Sequence, residues 1–134
     1  MLSQEDQIWN RATLGPSDSG PGEGDFALAS LLHAHGLAMN GGVVHALETM
    51  TQAEVLAAIA GFRYFGLSVA AGVLSQAPDG SEAAEKRLDL MYWQAVPDDS
   101  TLVRAFQLRL SAFPEAFAPV VSGVPNDSFK GNTS

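Results

Sequence analysis

The chain has 134 residues and a formal net charge of −8, which comes from 15 carboxylates against seven Lys and Arg residues. This length predicts one domain, and the acidic balance disfavours direct binding to DNA or RNA because phosphate contacts need a basic patch. The absence of cysteine excludes disulfides and thiolate metal sites and suits a reducing cytoplasm. With neither a visible signal peptide nor an apolar run of the ~20 residues that span a bilayer, we expect a cytoplasmic protein that does not enter membranes.

Residues 1–14 form the first predicted element, a short helix. Ser3 is a favoured N-cap residue, and the acidic residues that follow it complement the positive end of the helix dipole. Trp9 is expected to dock on the body of the domain. Residues 15–24 are rich in glycine, proline and serine and predict a flexible linker.

The second predicted helix covers residues 26–39, with Asp25 as a good N-cap, and it opens a main domain expected over residues 25–119. Its inward-facing residues recur at helical spacing and are predicted to be Leu28, Leu31, Leu32, His35 and Met39. Because His35 lies on this apolar stripe, we expect a hydrogen-bonded core or boundary histidine rather than a metal ligand.

Glycines punctuate the middle of the chain. Asn40-Gly41-Gly42 predicts a sharp turn between two helices, because glycine adopts positive φ at little steric cost. Thr51 and Glu54 have the spacing of a capping box at the start of the following helix. Gly66 is expected to stop that helix and Ser68 to cap the next one.

Two glycines inside these helices, Gly61 and Gly72, predict unusually close packing. Glycine inside a helix costs about 1 kcal/mol relative to alanine. Its presence among several alanines therefore favours helix backbones in direct contact, as in a tight helical hairpin. The inward face of the helix after Ser68 is expected to contain Val69, Val73 and Leu74.

Two longer helices are predicted to complete the domain. Ser81 caps a helix over residues 82–96, and Asp98, Asp99 or Ser100 caps the last one. The inward residues of the first are expected to be Leu88, Met91 and Ala95, flanked by Tyr92 and Trp93. Those of the second are Leu102, Phe106, Leu110 and Phe113.

The chain as a whole predicts an all-α fold, a compact bundle of five or six helices with no significant sheet. No run of four or more residues alternates as a strand does, and no internal repeat is visible. Residues 120–134 are rich in Gly, Pro, Asn and Ser and predict a loose tail.

The segments N-G-G-V-x-H-A-x-E at residues 40–48 and G-F-R-Y-F-G-L at residues 61–67 resemble the bacterial DNA-mimic-protein domain family. The similarity continues from Asp98 to Pro119, where D-x-x-L-x-x-x-F-x-x-x-L-x-x-x-P-x-x-F matches the closing helix of that family. Val43-Val44 departs from the pattern, which often has an aromatic residue there. The resemblance implies a non-enzymatic helical domain that presents DNA-like acidic charge to a DNA-binding protein. It assigns a mainly structural role to Asn40, Gly41, Gly42, His45, Glu48, Gly61, Arg63 and Gly66.

Six carboxylates form the candidate partner-binding set: Asp79, Glu82, Glu85, Asp89, Asp98 and Asp99. Three of them recur at i, i+3 and i+7 along one edge of a predicted helix, and the others flank that helix. A solvated helix face explains the same pattern. The expected partner is a protein with a basic DNA-binding surface, and the sequence leaves open whether the chain is a monomer or a homodimer.

The alternative is a small-ligand or metal-binding site around Asn40, His45, Glu48 and Arg63. His33 and His35 lie on different sides of a helix, and no H-E-x-x-H spacing occurs, so we expect neither a metal nor another cofactor. The chain also has no nucleophile elbow and no phosphate-binding loop after a strand, so we do not expect an enzyme. A toxin-neutralising or other acidic partner protein is a further class that the sequence does not separate from a DNA mimic.

Overall fold

The computed structural model describes residues 3–16 and 22–119, and every regular element in these ranges is helical. The number of α-helices in this part of the chain is seven, against the predicted five or six. The all-α class without a sheet is confirmed for this part of the chain. Seven α-helices and a final 3-10 turn follow one another in it: α1 (Gln4–Ala12), α2 (Glu23–Gly41), α3 (Val43–Thr49), α4 (Gln52–Tyr64), α5 (Ser68–Leu74), α6 (Glu82–Ala95), α7 (Asp99–Ala112) and the turn Pro114–Ala116.

The first helix packs onto the body of the protein through Trp9, whose ring lies 5.7 Å from that of Phe106. The predicted docking of this tryptophan is therefore confirmed. Residues 17–21 of the predicted linker and the predicted tail at 120–134 lie outside the described residues. No helix among those described is long and apolar enough to cross a membrane.

Several helices begin and end at the signals in the sequence. The hydroxyls of Ser3 and Ser81 each accept a backbone N–H from the first turn of their helix, at 3.0 and 3.1 Å. Thr51 and Glu54 form the predicted capping box, with hydrogen bonds of 3.1 and 2.8 Å. Gly66 follows α4 with a φ of 77°, a conformation that favours glycine. These caps satisfy polar backbone groups that the helix ends leave unpaired.

The second helix is longer than predicted at both ends. It begins at Glu23, inside the segment predicted as linker, and its N-cap is Gly22 rather than Asp25. Asp25 is the third helical residue, and its carboxylate accepts the backbone N–H of Gly22 at 3.0 Å. At the other end, α2 continues through Gly41, so the turn consists of Gly42 alone, with a φ of 95°.

The long α2 is the central element, packing against α1, α3 and α4. The closest approach to α4 occurs at Gly61, where an added Cβ would lie 2.5 Å from the backbone oxygen of Ala27. The predicted backbone contact is therefore confirmed at Gly61. It is wrong at Gly72, where an added Cβ would meet no atom within 4 Å.

Three residues predicted to face inward are exposed: Met39 at 54%, Val69 at 64% and Phe113 at 44%. Met39 and Val69 lie within two residues of an end of their helix, and Phe113 follows the last residue of α7. At the start of α5, Leu67 occupies the N-cap position. Ser68 is therefore the first helical residue and not the predicted cap.

A buried ion pair joins α1, the start of α2 and the end of the described chain. Arg11 Nη2 donates to Asp25 Oδ1 at 2.6 Å, and Asp25 is 1% exposed. The other carboxylate oxygen accepts the backbone N–H of Ala118 at 2.7 Å, and Arg11 donates to the Ala118 carbonyl at 3.0 Å. Next to them, the ring of Phe117 packs against Gly24, where an added Cβ would lie 2.6 Å from the ring.

Replacing Gly61 or Gly72 by alanine should change the free energy of unfolding in opposite directions. Gly61→Ala puts a methyl group against the Ala27 carbonyl, so the helices must separate, and we expect destabilisation by about 1–3 kcal/mol. Gly72→Ala meets no atom and gains helix propensity, so we expect stabilisation by up to about 1 kcal/mol. Urea unfolding measures both, and a change of the same sign in the two variants would contradict this packing.

Removing the Asp25 carboxylate should destabilise the fold strongly. Asp25→Ala leaves the Arg11 guanidinium without its anionic partner in a half-buried position, and we expect a loss of about 3–5 kcal/mol. Glu23→Ala is the matched control, because Glu23 is exposed in the same helical turn and should change stability by less than about 0.5 kcal/mol. A loss below ~1 kcal/mol in Asp25→Ala would contradict a stabilising role for the ion pair.

Candidate functional site

A row of three polar side chains connects α2, α6 and α7. His35 Nδ1 lies 2.7 Å from the hydroxyl of Tyr92, and His35 Nε2 lies 3.0 Å from Asp99 Oδ1. His35 and Tyr92 are buried, whereas 77% of the Asp99 side chain is exposed. The row therefore runs from the core to the surface. The prediction of a hydrogen-bonded core histidine is confirmed, while Tyr92, predicted to flank the core, lies inside it.

The protons of this row follow from the chemistry of its ends. Burial, together with the negative charge of Asp99, raises the pKa of Tyr92 well above its ordinary value, so the phenol keeps its proton. An ionised Asp99 can only accept a hydrogen bond. A neutral imidazole with its proton on Nε2 then satisfies all three groups: Tyr92 donates to Nδ1, and Nε2–H donates to Asp99.

The surface end of the row opens into a cleft of about 260 Å³ between α1, α2 and α7. Trp9 and Thr13 contribute from α1 and the turn after it, and Leu32 from α2. Leu102 and Asp99 line the side formed by α7. The cleft thus combines an aromatic and aliphatic wall with a carboxylate that His35 holds in place.

The predicted acidic edge on α6 is only partly a surface feature. Glu82 and Glu85 are exposed, as a partner-binding role requires. Asp89, in contrast, is half-buried, and its Oδ1 accepts the backbone N–H of Val43 at 2.8 Å. It thereby caps the start of α3 and lies 3.1 Å from the position of a Cβ at Gly42. Its carboxylate thus already serves an internal contact.

The remaining acidic residues of the set flank α6. Asp79 and Asp98 are exposed, and each accepts a backbone N–H two residues further on, both at 2.9 Å. Hydrogen bonds from the Ser81 and Ser100 side chains, together with these N–H groups, hold the pKa of Asp79 and of Asp98 below the ordinary value of 3.8. Because α6 has 14 residues, its two ends lie about 20 Å apart. Asp79 therefore precedes the start of α6, and Asp98 follows its opposite end.

The residues of the alternative site lie on three helices, α2, α3 and α4. Asn40 and Glu48 are exposed, and His45 packs its ring over Gly41, where an added Cβ would lie 2.6 Å from it. Arg63 lies on α4 and lines a different groove, with Leu56 and Pro78 among its neighbours, and forms no ion pair with Glu48. Within the ranges the structure describes, no group of three or more His, Asp or Glu side chains is placed to hold a metal ion.

The sequence identified two parts of the Tyr92–His35–Asp99 row separately but not their meeting. His35 was visible as a polar residue on an apolar stripe, and Asp99 as a candidate helix cap. The two residues are 64 positions apart, and no local sequence pattern connects residues at that distance. The ion pair of Arg11 with Asp25 was missed because Asp25 already had a local explanation as a cap.

No model of a protein family, no curated protein and no solved structure matches this chain.

The Tyr92 hydroxyl should stabilise the fold through its bond to His35. Tyr92→Phe leaves a buried acceptor, Nδ1, without a donor, and we expect a loss of about 1–3 kcal/mol in the free energy of unfolding. Tyr64→Phe is the control, because its ring contact with Arg109 persists in phenylalanine. Nitrogen NMR of the imidazole provides the second measurement: a proton on Nδ1 in the native protein would contradict the described tautomer.

Proposed function

We propose that this protein is a non-enzymatic interaction module that binds a basic DNA-binding surface of another protein, as the resemblance to the DNA-mimic family implies. The observation that supports it best is the pair Glu82 and Glu85, exposed one helical turn apart at the start of α6. Neither forms an ion pair in the described part of the chain. Their carboxylates are therefore available to cations of a partner.

The spacing of the exposed carboxylates fits a surface that normally binds DNA. Neighbours at i and i+3 on a helix lie roughly 5–6 Å apart, comparable with the ~7 Å between phosphates on a strand, an estimate from helix geometry. Asp98 and Asp99 add charge about 20 Å further along. Asp89 is removed from the proposed set because its carboxylate caps α3.

The overall charge supports the same proposal. A net charge of −8 raises the local concentration of basic proteins and accelerates their association. Lys86 and Arg87 interrupt the acidic surface, so we assign the main contact to the Glu82 end of α6 rather than to the whole helix. The proposal includes a cytoplasmic location, which the absence of cysteine suits.

The test combines competition with a salt titration. A basic DNA-binding protein recovered with this chain at low ionic strength should lose duplex DNA when the chain is added, and its affinity for the chain should fall as salt rises. Glu82→Gln combined with Glu85→Gln should weaken binding about fivefold, because exposed charge pairs contribute up to ~1 kcal/mol each.

The control removes the same two charges elsewhere. The double variant Glu5→Gln and Asp6→Asn changes two residues of α1. It should leave the affinity unchanged beyond a small effect of net charge. An affinity that does not respond to salt, or a partner that binds DNA and this chain at the same time, would refute the proposal.

A further inference from the structure

The geometry points to a second site: we propose that the cleft between α1, α2 and α7 binds a small organic cation, an amine with an aromatic or other apolar body. This site is separate from the Glu82 end of α6. The cleft measures about 260 Å³. Since a water molecule takes up about 30 Å³ of liquid, this volume suits a single ring with a short amine chain.

The walls of the cleft select the body of the ligand. Trp9 provides an aromatic face, and Leu32 and Leu102 provide aliphatic contacts. Trp9 is half-buried, and its ring lies 5.7 Å from that of Phe106 at an angle of 55°, a contact that holds the indole in place without covering it completely. An aromatic wall of this kind binds both apolar rings and cationic groups.

The polar groups of the cleft select a positive charge. Asp99 is the carboxylate at its edge, and His35 engages only its Oδ1. Thr13 donates its hydroxyl proton to the Asn10 carbonyl at 2.6 Å. Toward a ligand, its oxygen can therefore act only as a hydrogen-bond acceptor. The residues that line this cleft in the described chain include no Lys or Arg. Two histidines also line it: His35, which is bonded to Asp99, and His33, whose Nε2 lies 3.8 Å from Glu54.

The row behind Asp99 explains why a fixed carboxylate lies there. Tyr92 orients the His35 ring, and the ring holds one oxygen of Asp99 at 3.0 Å. A carboxylate that is already oriented loses less entropy when it binds an ammonium group than a free surface side chain does. The charge of Asp99 therefore repels an anionic ligand, and a neutral one gains nothing from it.

Tryptophan fluorescence provides the test. In the Trp93→Phe background Trp9 is the remaining tryptophan of the sequence. Phenethylamine, added near neutral pH and at low salt, should change its emission saturably, with a dissociation constant on the order of 1 mM. Phenethyl alcohol and phenylpropionate, which have the same ring without the positive charge, should bind at least fivefold more weakly. The Trp9→Phe variant, which keeps Trp93, should show no saturable change.

A matched pair of variants separates the site from the general charge. Asp99→Asn keeps an acceptor for His35 but removes the charge, and should weaken phenethylamine binding about fivefold to tenfold. Asp98→Asn removes the same charge from the neighbouring position, where asparagine still serves as a helix cap, and should leave binding unchanged. Circular dichroism confirms folding of both, as expected for exposed positions.

The possible results divide cleanly. Saturable binding of the amine that depends on Asp99 and not on Asp98 supports the site. No saturable change with phenethylamine, equal affinity for the alcohol, or equal losses in the two variants would overturn it. The Glu82 and Glu85 variants leave this cleft intact, so the outcome is independent of the partner-binding test.

Discussion

The arrangement of α1, the start of α2 and the chain after α7 depends on the buried ion pair between Arg11 and Asp25. Asp25 is 1% exposed, and such a charge is tolerated only when its hydrogen bonds are satisfied. Its two oxygens accept from Arg11, from the backbone of Gly22 and from the backbone of Ala118. These three donors come from α1, from the entry into α2 and from the chain after the last helix. One carboxylate therefore fixes the relative positions of segments that are distant in sequence.

The same interaction determines the position of the cleft. Because Arg11 holds α1 against the start of α2, Trp9, two residues earlier on α1, lies beside α7 and contacts Phe106. The floor of the cleft belongs to α2, whose close contact with α4 at Gly61 fixes it on the opposite side. The candidate ligand site is thus a consequence of how two constraints, one electrostatic and one steric, position a single central helix.

The acidic residues divide into those that the fold uses and those that it leaves to solvent. Asp25 and Asp89 serve backbone N–H groups inside the structure, and Asp99 ends a row of hydrogen bonds from the core. Glu82 and Glu85 have no such contact in the described chain. A count of carboxylates therefore overestimates the charge available to a partner. The proposed interaction depends on Glu82 and Glu85, carboxylates that make no internal contact in the described ranges.

Much of the secondary structure was predictable because its determinants are local. The hydroxyl caps at Ser3, Thr51 and Ser81 act within one helical turn, and so does the positive φ of Gly66. The burial of Leu28, Leu31 and Phe62 follows from helical periodicity. Local signals also explain the errors: Asp25 has the residue type of a cap, but its carboxylate is used by partners that no local pattern contains. The predicted burial of Met39 and Val69 is wrong, because the periodicity of one helix does not show which of its residues a neighbouring helix covers.

The sequence by itself determined that the chain is acidic, free of cysteine and helical, since these depend on composition and on residues a few positions apart. Only the tertiary structure decided that Arg11 meets Asp25, that Tyr92, His35 and Asp99 form one row, and that Gly61 rather than Gly72 lies against another backbone. The physical reason is that such contacts depend on how whole helices pack. The energy of that packing is distributed over the core, and no short segment contains it.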